Sequence, residues 1–179
     1  VLKALGDERA YLASAAVESL GGVRAPAPAL RRDIICYVRG KLDAADARLV
    51  TAAIRALVLA AGENAVDDLC ATVRANRRRR DGHEDMVCTA AVEALRDLAS
   101  PRAVPLLREE LRRAEGRGWD LEYGSAVIAA LRAVDNDKSR AAAGGYADLL
   151  TARMPKDPAA RHYYTSKIAE AREAAGRGG

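Results

Sequence analysis

A chain of 179 residues is long enough to bury a sizeable core within one domain. Half of its residues are hydrophobic, yet there is no Phe and aromatics make up only 4%, so the apolar content is mainly Ala, Leu and Val, which suits closely packed helices rather than a sheet. The net charge is +4 with both signs spread along the chain (10 basic and 9 acidic residues over 1–76, 10 and 8 over 77–119, 9 and 8 over 120–179), which argues against an extended phosphate-binding face.

The first predicted helix covers roughly Asp7–Leu20 and stops at the breaker stretch GGVRAPAP, Gly21–Pro28. A second, roughly Ala29–Leu42, carries Ile34, Ile35, Val38 and Leu42 as its apolar positions. Next, Val50, Ile54, Leu57 and Ala61 form one helical stripe, Gly62 interrupts it, and Val66, Leu69, Cys70 and Val73 form another. Val87, Ala91, Leu95 and Leu98 mark a further buried face. Ser100 then reads as an N-cap and Pro101 as the first residue of a helix with Val104, Leu107 and Leu111 inward. Arg108, Glu109, Arg112 and Arg113 face mostly outward, and Gly116 and Gly118 break the pattern. The next helix is Leu121–Val134, followed by the turn and cap cluster Asp135-Asn136-Asp137. A helix containing Tyr146, Leu149 and Leu150 ends near Met154-Pro155, and Gly144-Gly145 either allows close packing there or breaks the helix before Tyr146. The last helix, about 158–175, is richer in Tyr, Lys, Glu and Arg and reads as a cap. Of Tyr163 and Tyr164, one ring is expected to pack and the other to be exposed.

Self-similarity organises these elements. AVESL (Ala16–Leu20), AIRAL (Ala53–Leu57), AVEAL (Ala91–Leu95) and VIAAL (Val127–Leu131) end on leucines spaced by 37, 38 and 36 residues. Two packed helices with their turns require a period of this size. The expectation is a single all-α domain over 1–179, an α-α superhelix of about four helical hairpins (about 7–42, 46–76, 84–115 and 120–154) plus a C-terminal capping helix, about 158–175.

The segment AVEALRDLASPRAVPLLREEL, Ala91–Leu111, resembles the bacterial HEAT-like repeat that also occurs in phycobilin lyases. It carries that family's ALRDLxxPRAVPLL pattern, and the likeness extends over most of Asp7–Met154. The resemblance implies an α-solenoid whose second helices line a concave surface. It does not imply one ligand, because this fold hosts many functions.

Cys36, Cys70 and Cys88 are few, odd in number and set in apolar helical contexts, which points to reduced, buried thiols and favours a cytoplasmic setting. Charges interrupt every apolar run, so no stretch is expected to span a membrane. The chain begins at Val1 without an initiator Met and is read as a mature form or part of a longer protein.

Candidate chemistry is sparse. HEAT-like iron hydroxylases place His-Glu pairs at several repeat starts; here His83-Glu84 is one pair, and the only other histidine is His162. Two histidines cannot supply such a set, so no metal or other cofactor is expected. Glu84 and Asp85 instead suit the positive end of a helix. Cys88 lies on the same face as Glu84 but not as His83, and reads as a structural thiol. HEAT-like enzymes that remove alkylated bases from DNA need a basic groove with aromatic residues; here Trp119 stands alone, and Asp33, Asp67, Asp68, Glu109 and Glu110 interleave with the basic residues. Trp119 is read as a packing residue or a partner anchor.

The function expected is non-catalytic: a scaffold or adaptor that binds a protein or peptide on the concave face. Helical phase puts Arg32, Arg39, Asp67, Arg74, Arg108 and Arg112 there, and their mixed signs favour a protein partner. The alternative is a nucleic-acid-associated protein using the basic loop Arg77, Arg78, Arg79 and Arg80, whose four guanidiniums suit phosphate contacts without reading sequence. A HEAT-like enzyme, bilin-lyase-like or metal-dependent, is the further alternative.

Overall fold

The computed structural model describes residues 27–77, 83–114 and 121–176, with positions 15, 17, 19 and 20. Every regular element among the described residues is helical and none is a strand, so the protein is all-α. Most of the expected Asp7–Leu20 helix lies outside the described residues, as do Arg78, Arg79, Arg80, Gly116, Gly118, Trp119 and the side chains of His83, Glu84 and Asp85. Positions 15, 17, 19 and 20 are helical, and Val17 is fully buried.

The chain divides into two compact units, Val1–Ala94 and Leu95–Gly179. The first holds α1 (Pro28–Arg39), α2 (Ala47–Ala61), α3 (Val66–Asn76) and most of α4 (His83–Leu98). Pro28 opens α1 because its fixed φ and missing N–H suit a first turn. Asp46 starts α2: its carboxylate accepts hydrogen bonds from the backbone N–H groups of Arg48 and Leu49 at 2.8 and 3.2 Å. Gly62 ends α2 at φ 56°, a left-handed conformation that favours glycine, and begins a short 3-10 turn, Gly62–Ala65, that leads into α3. Asp67 and Asp68 lie in the first turn of α3, next to the positive end of its dipole.

The periodic positions read from the sequence are the core of this unit. Val38, Val50, Ile54, Leu57, Val66, Leu69, Val73, Val87 and Ala91 are fully buried. Each large aliphatic side chain so buried contributes about 1.5–3 kcal/mol of transfer free energy. α1 packs on α2, and the Cys88 sulfur on α4 approaches the Val73 carbonyl on α3 at 3.8 Å. Cys70 and Cys88 are buried, but Cys36 is exposed and corrects the reading of three buried thiols; it lies on the side of α1 away from Ile34 and Val38. A second correction concerns hydropathy. The span Ala47–Asn76 contains an 18-residue window of mean hydropathy 1.5, which meets the length and composition of a membrane span. In the structure 44% of that window is buried, and Gly62 breaks the helix within the span.

The second unit holds the 3-10 turn Pro101–Ala103, α5 (Val104–Ala114), α6 (Leu121–Val134), α7 (Asp137–Ala152) and α8 (Pro158–Ala174). The expected Ser100-Pro101 start is found: Ser100 is buried and its hydroxyl accepts from the Arg102 N–H at 3.4 Å. Asn136 and Ser139 form a reciprocal capping box at the start of α7. Asp157 caps α8 by accepting from the Ala160 N–H at 2.8 Å. Replacing Asn136 by Ala should cost about 1 kcal/mol, read as a lower urea midpoint at unchanged m-value.

α7 packs on both α6 and α8, α8 also packs on α6, and α5 packs on α6 and α7. Leu107, Val127, Ala130, Ala143 and Ala171 are fully buried at these contacts. α7 runs unbroken through Gly144 and Gly145, so of the two roles expected for that pair the helix break is not found; Gly144 is buried and Gly145 exposed.

Candidate partner-binding surface

In the first unit, Arg32 and Arg39 stand exposed on α1, and Asp67 and Arg74 on α3. The opposite faces of these helices are apolar and buried, which is why the polar positions point outward. The structure joins α1 to α3 here: Arg39 Nε donates to Asp68 Oδ2 at 2.8 Å, while Asp67 is exposed beside it. With the Arg39 and Asp68 side chains 48% and 28% exposed, water screens the pair, and it adds at most about 1 kcal/mol. Arg77 follows α3 and is half-buried.

In the second unit, Arg108 and Arg112 are exposed one turn apart on α5. With Leu111 they form one side of an open cleft of about 200 Å³, whose other side is Ala141, Ala142, Gly145 and Tyr146 of α7. Two of the expected binding residues therefore share one concavity. Two apolar contributors from α7, Ala142 and Tyr146, had no separate signal in the sequence beyond helical phase.

Between these arginines the chain carries a residue that the sequence reading misplaced. Glu110, grouped with the surface acids, is fully buried. Its Oε2 accepts from Arg113 Nη1 at 2.9 Å and from the Tyr123 hydroxyl at 3.1 Å. Its position was a usable signal, since it follows Leu107 by three residues and falls in the apolar phase of α5.

A polar seam ties α6 to α8. The Tyr163 hydroxyl donates to Glu122, Lys167 lies 3.4 Å from Glu122 and 3.3 Å from Glu170, Ser125 donates to Glu170 at 2.7 Å, and Arg132 meets Glu173 at 2.6 Å. The numbers rise together along both helices, so α6 and α8 run in the same direction. Tyr163, as expected for one of the tyrosine pair, remains partly exposed, while its neighbour Tyr164 is half-buried.

The seam shifts two acidities. The hydrogen bond to Glu122, then burial, pushes the Tyr163 hydroxyl from its ordinary 10.0 up to about 12. The same hydrogen bond, aided by the Lys167 ammonium, holds Glu122 below its ordinary 4.5. A raised folded-state value means that the Tyr163 contribution is complete below pH 10 and is lost as pH rises through about 12. The lowered Glu122 value means a contribution present above pH 4.5 and lost as pH falls through the folded-state value. Melting curves of wild type and Tyr163→Phe should therefore differ most near neutrality and converge in strong alkali. A constant difference across the alkaline range contradicts this linkage.

Among the described residues no group of three or more His, Cys, Asp or Glu is placed to hold a metal ion. In comparisons with known proteins, no family model, no curated protein and no solved structure matches this chain.

Proposed function

We propose that the chain is a HEAT-like α-solenoid that works as a non-catalytic adaptor, binding a protein or peptide partner on the face formed by its second helices. The 36–38-residue period and the Ala91–Leu111 resemblance support the solenoid reading. So does the parallel run of α6 and α8, because successive first helices of stacked hairpins run parallel.

The observation that carries the functional reading is the outward display of Arg32, Asp67, Arg74, Arg108 and Arg112 on helices whose other faces are core. Mixed charge on rigid elements suits a partner with a complementary pattern, where like-charge mismatches reject wrong partners. The test is a pull-down with wild type and with Arg32, Arg74, Arg108 and Arg112 each changed to Glu together. Partner recovery should fall sharply while the melting temperature holds. Unchanged recovery would remove this face from the mechanism.

A further inference from the structure

Resting on the adaptor reading, we propose that the Arg108–Arg112 cleft of the second unit is a docking site for an acidic peptide segment in which a carboxylate neighbours an apolar side chain.

The charge comes from spacing. Arg108 and Arg112 are four residues apart on α5, so their guanidiniums share one face and repel each other. Both are exposed, and none of the residues lining the cleft is acidic. A carboxylate placed between two guanidinium forks relieves the repulsion and accepts charge-assisted hydrogen bonds from both.

The remaining wall sets the neighbour of that carboxylate. Leu111, Ala141, Ala142 and Tyr146 give an apolar floor, which favours burying an aliphatic side chain. At about 200 Å³ the cleft is smaller than the roughly 300–1,000 Å³ of small-molecule sites, and it fits a single peptide side chain better than a cofactor. α7 lines it with alanines and a glycine instead of a second basic row, so no phosphate track continues across it.

Gly145 provides a probe of the cleft that spares the core. A Cβ added there meets no atom within 4 Å, and the residue lies inside α7. Gly145→Leu should fill the cleft while favouring the helix.

The experiment is fluorescence anisotropy on the full chain with a short labelled peptide of alternating glutamate and leucine. Its partners are the glutamine–leucine and glutamate–alanine versions and a single-stranded oligonucleotide. Circular dichroism and melting temperature confirm that every variant is folded. The glutamate–leucine peptide should bind saturably and more weakly as salt rises. Either peptide change, Gly145→Leu, or Arg108→Glu with Arg112→Glu should weaken it by about ten-fold or more. Arg31→Glu with Arg48→Glu, exposed in the first unit and given no part in binding, should leave it within about two-fold.

Equal binding to Gly145→Leu or to the doubly reversed protein overturns the proposal, as does the absence of saturable binding to wild type. Displacement by the oligonucleotide with the same variant dependence assigns the cleft to phosphodiester and overturns it too. If the cleft fails in these ways while the pull-down still responds to arginine reversal, the adaptor reading stands alone. A pull-down indifferent to reversal removes the adaptor reading even if the peptide binds.

Discussion

Replacing Glu110 by Ala is expected to destabilise the second unit by about 3 kcal/mol, the largest effect of any single polar residue described here. The carboxylate is fully buried and holds Arg113 and the Tyr123 hydroxyl at 2.9 and 3.1 Å. Truncation removes the acceptor from both and leaves a space beneath α5. Arg113 is 31% exposed and can turn to water, which keeps the loss at the lower end of the range for broken buried pairs. Tyr123 is half-buried and gains less from such a turn.

Glu110→Met separates the two contributions. It keeps most of the volume and removes the buried charge, so it should cost less than half as much as Glu110→Ala. Urea unfolding of wild type and both variants decides the matter, with m-values compared to exclude a change in the unfolded state. Equal losses for the two variants would mean that the hydrogen bonds, not the packing, carry the effect.

Gly124→Ala is expected to cost about 1 kcal/mol even though alanine is the better helix former. Gly124 lies on α6 where α7 crosses it, and an added Cβ would collide with the Tyr146 hydroxyl and lie 3.1 Å from its Cζ. Tyr146 is itself buried, so it cannot swing clear without moving its helix. Overpacking of this kind costs about 1–3 kcal/mol, and the propensity gain of roughly 1 kcal/mol offsets only part of it.

The Tyr146→Phe background tests the cause. Removing the hydroxyl removes the closest contact but leaves the ring carbon, so Gly124→Ala should recover at least half of its loss there. The comparison is a double-mutant cycle on two touching residues, where non-additivity is the expected signal. Full additivity would show that the penalty at position 124 has another origin. Gly145→Ala, at the residue just before Tyr146 and on the open side of α7, should act oppositely and stabilise by about 0.5–1 kcal/mol.

These two residues also mark where sequence reading stops. Several helix ends were legible because they carry local chemistry: Ser100 and Asn136 cap, Pro101 and Pro158 start, and Gly62 turns. Such signals act within one turn and need no tertiary partner. The end of Leu121–Val134 is legible for that reason, since the Asn136–Ser139 capping box opens the next helix directly after it. The buried stripes were legible as well, because period 3.6 is written along the chain.

The partner of each polar side chain was not. Arg39 pairs with Asp68, a partner set by the approach of α3 to α1. Cys36 has apolar neighbours in sequence yet faces out, because α1 buries only its Ile34–Val38 side.

The polar outer faces on α1, α3 and α5 that support the adaptor reading could be drawn from the sequence, since exposure follows helical phase. Seating Arg108 and Arg112 above a wall from α7 could not. The cleft joins residues about thirty positions apart, and only the packing of α5 on α7 brings them together. Composition and periodicity thus determined that this protein is all-α and which face of each helix turns inward. The tertiary structure alone decided which charges meet, that Glu110 lies inside, and that two outward arginines share a concave pocket, because these depend on how helices distant in sequence approach one another.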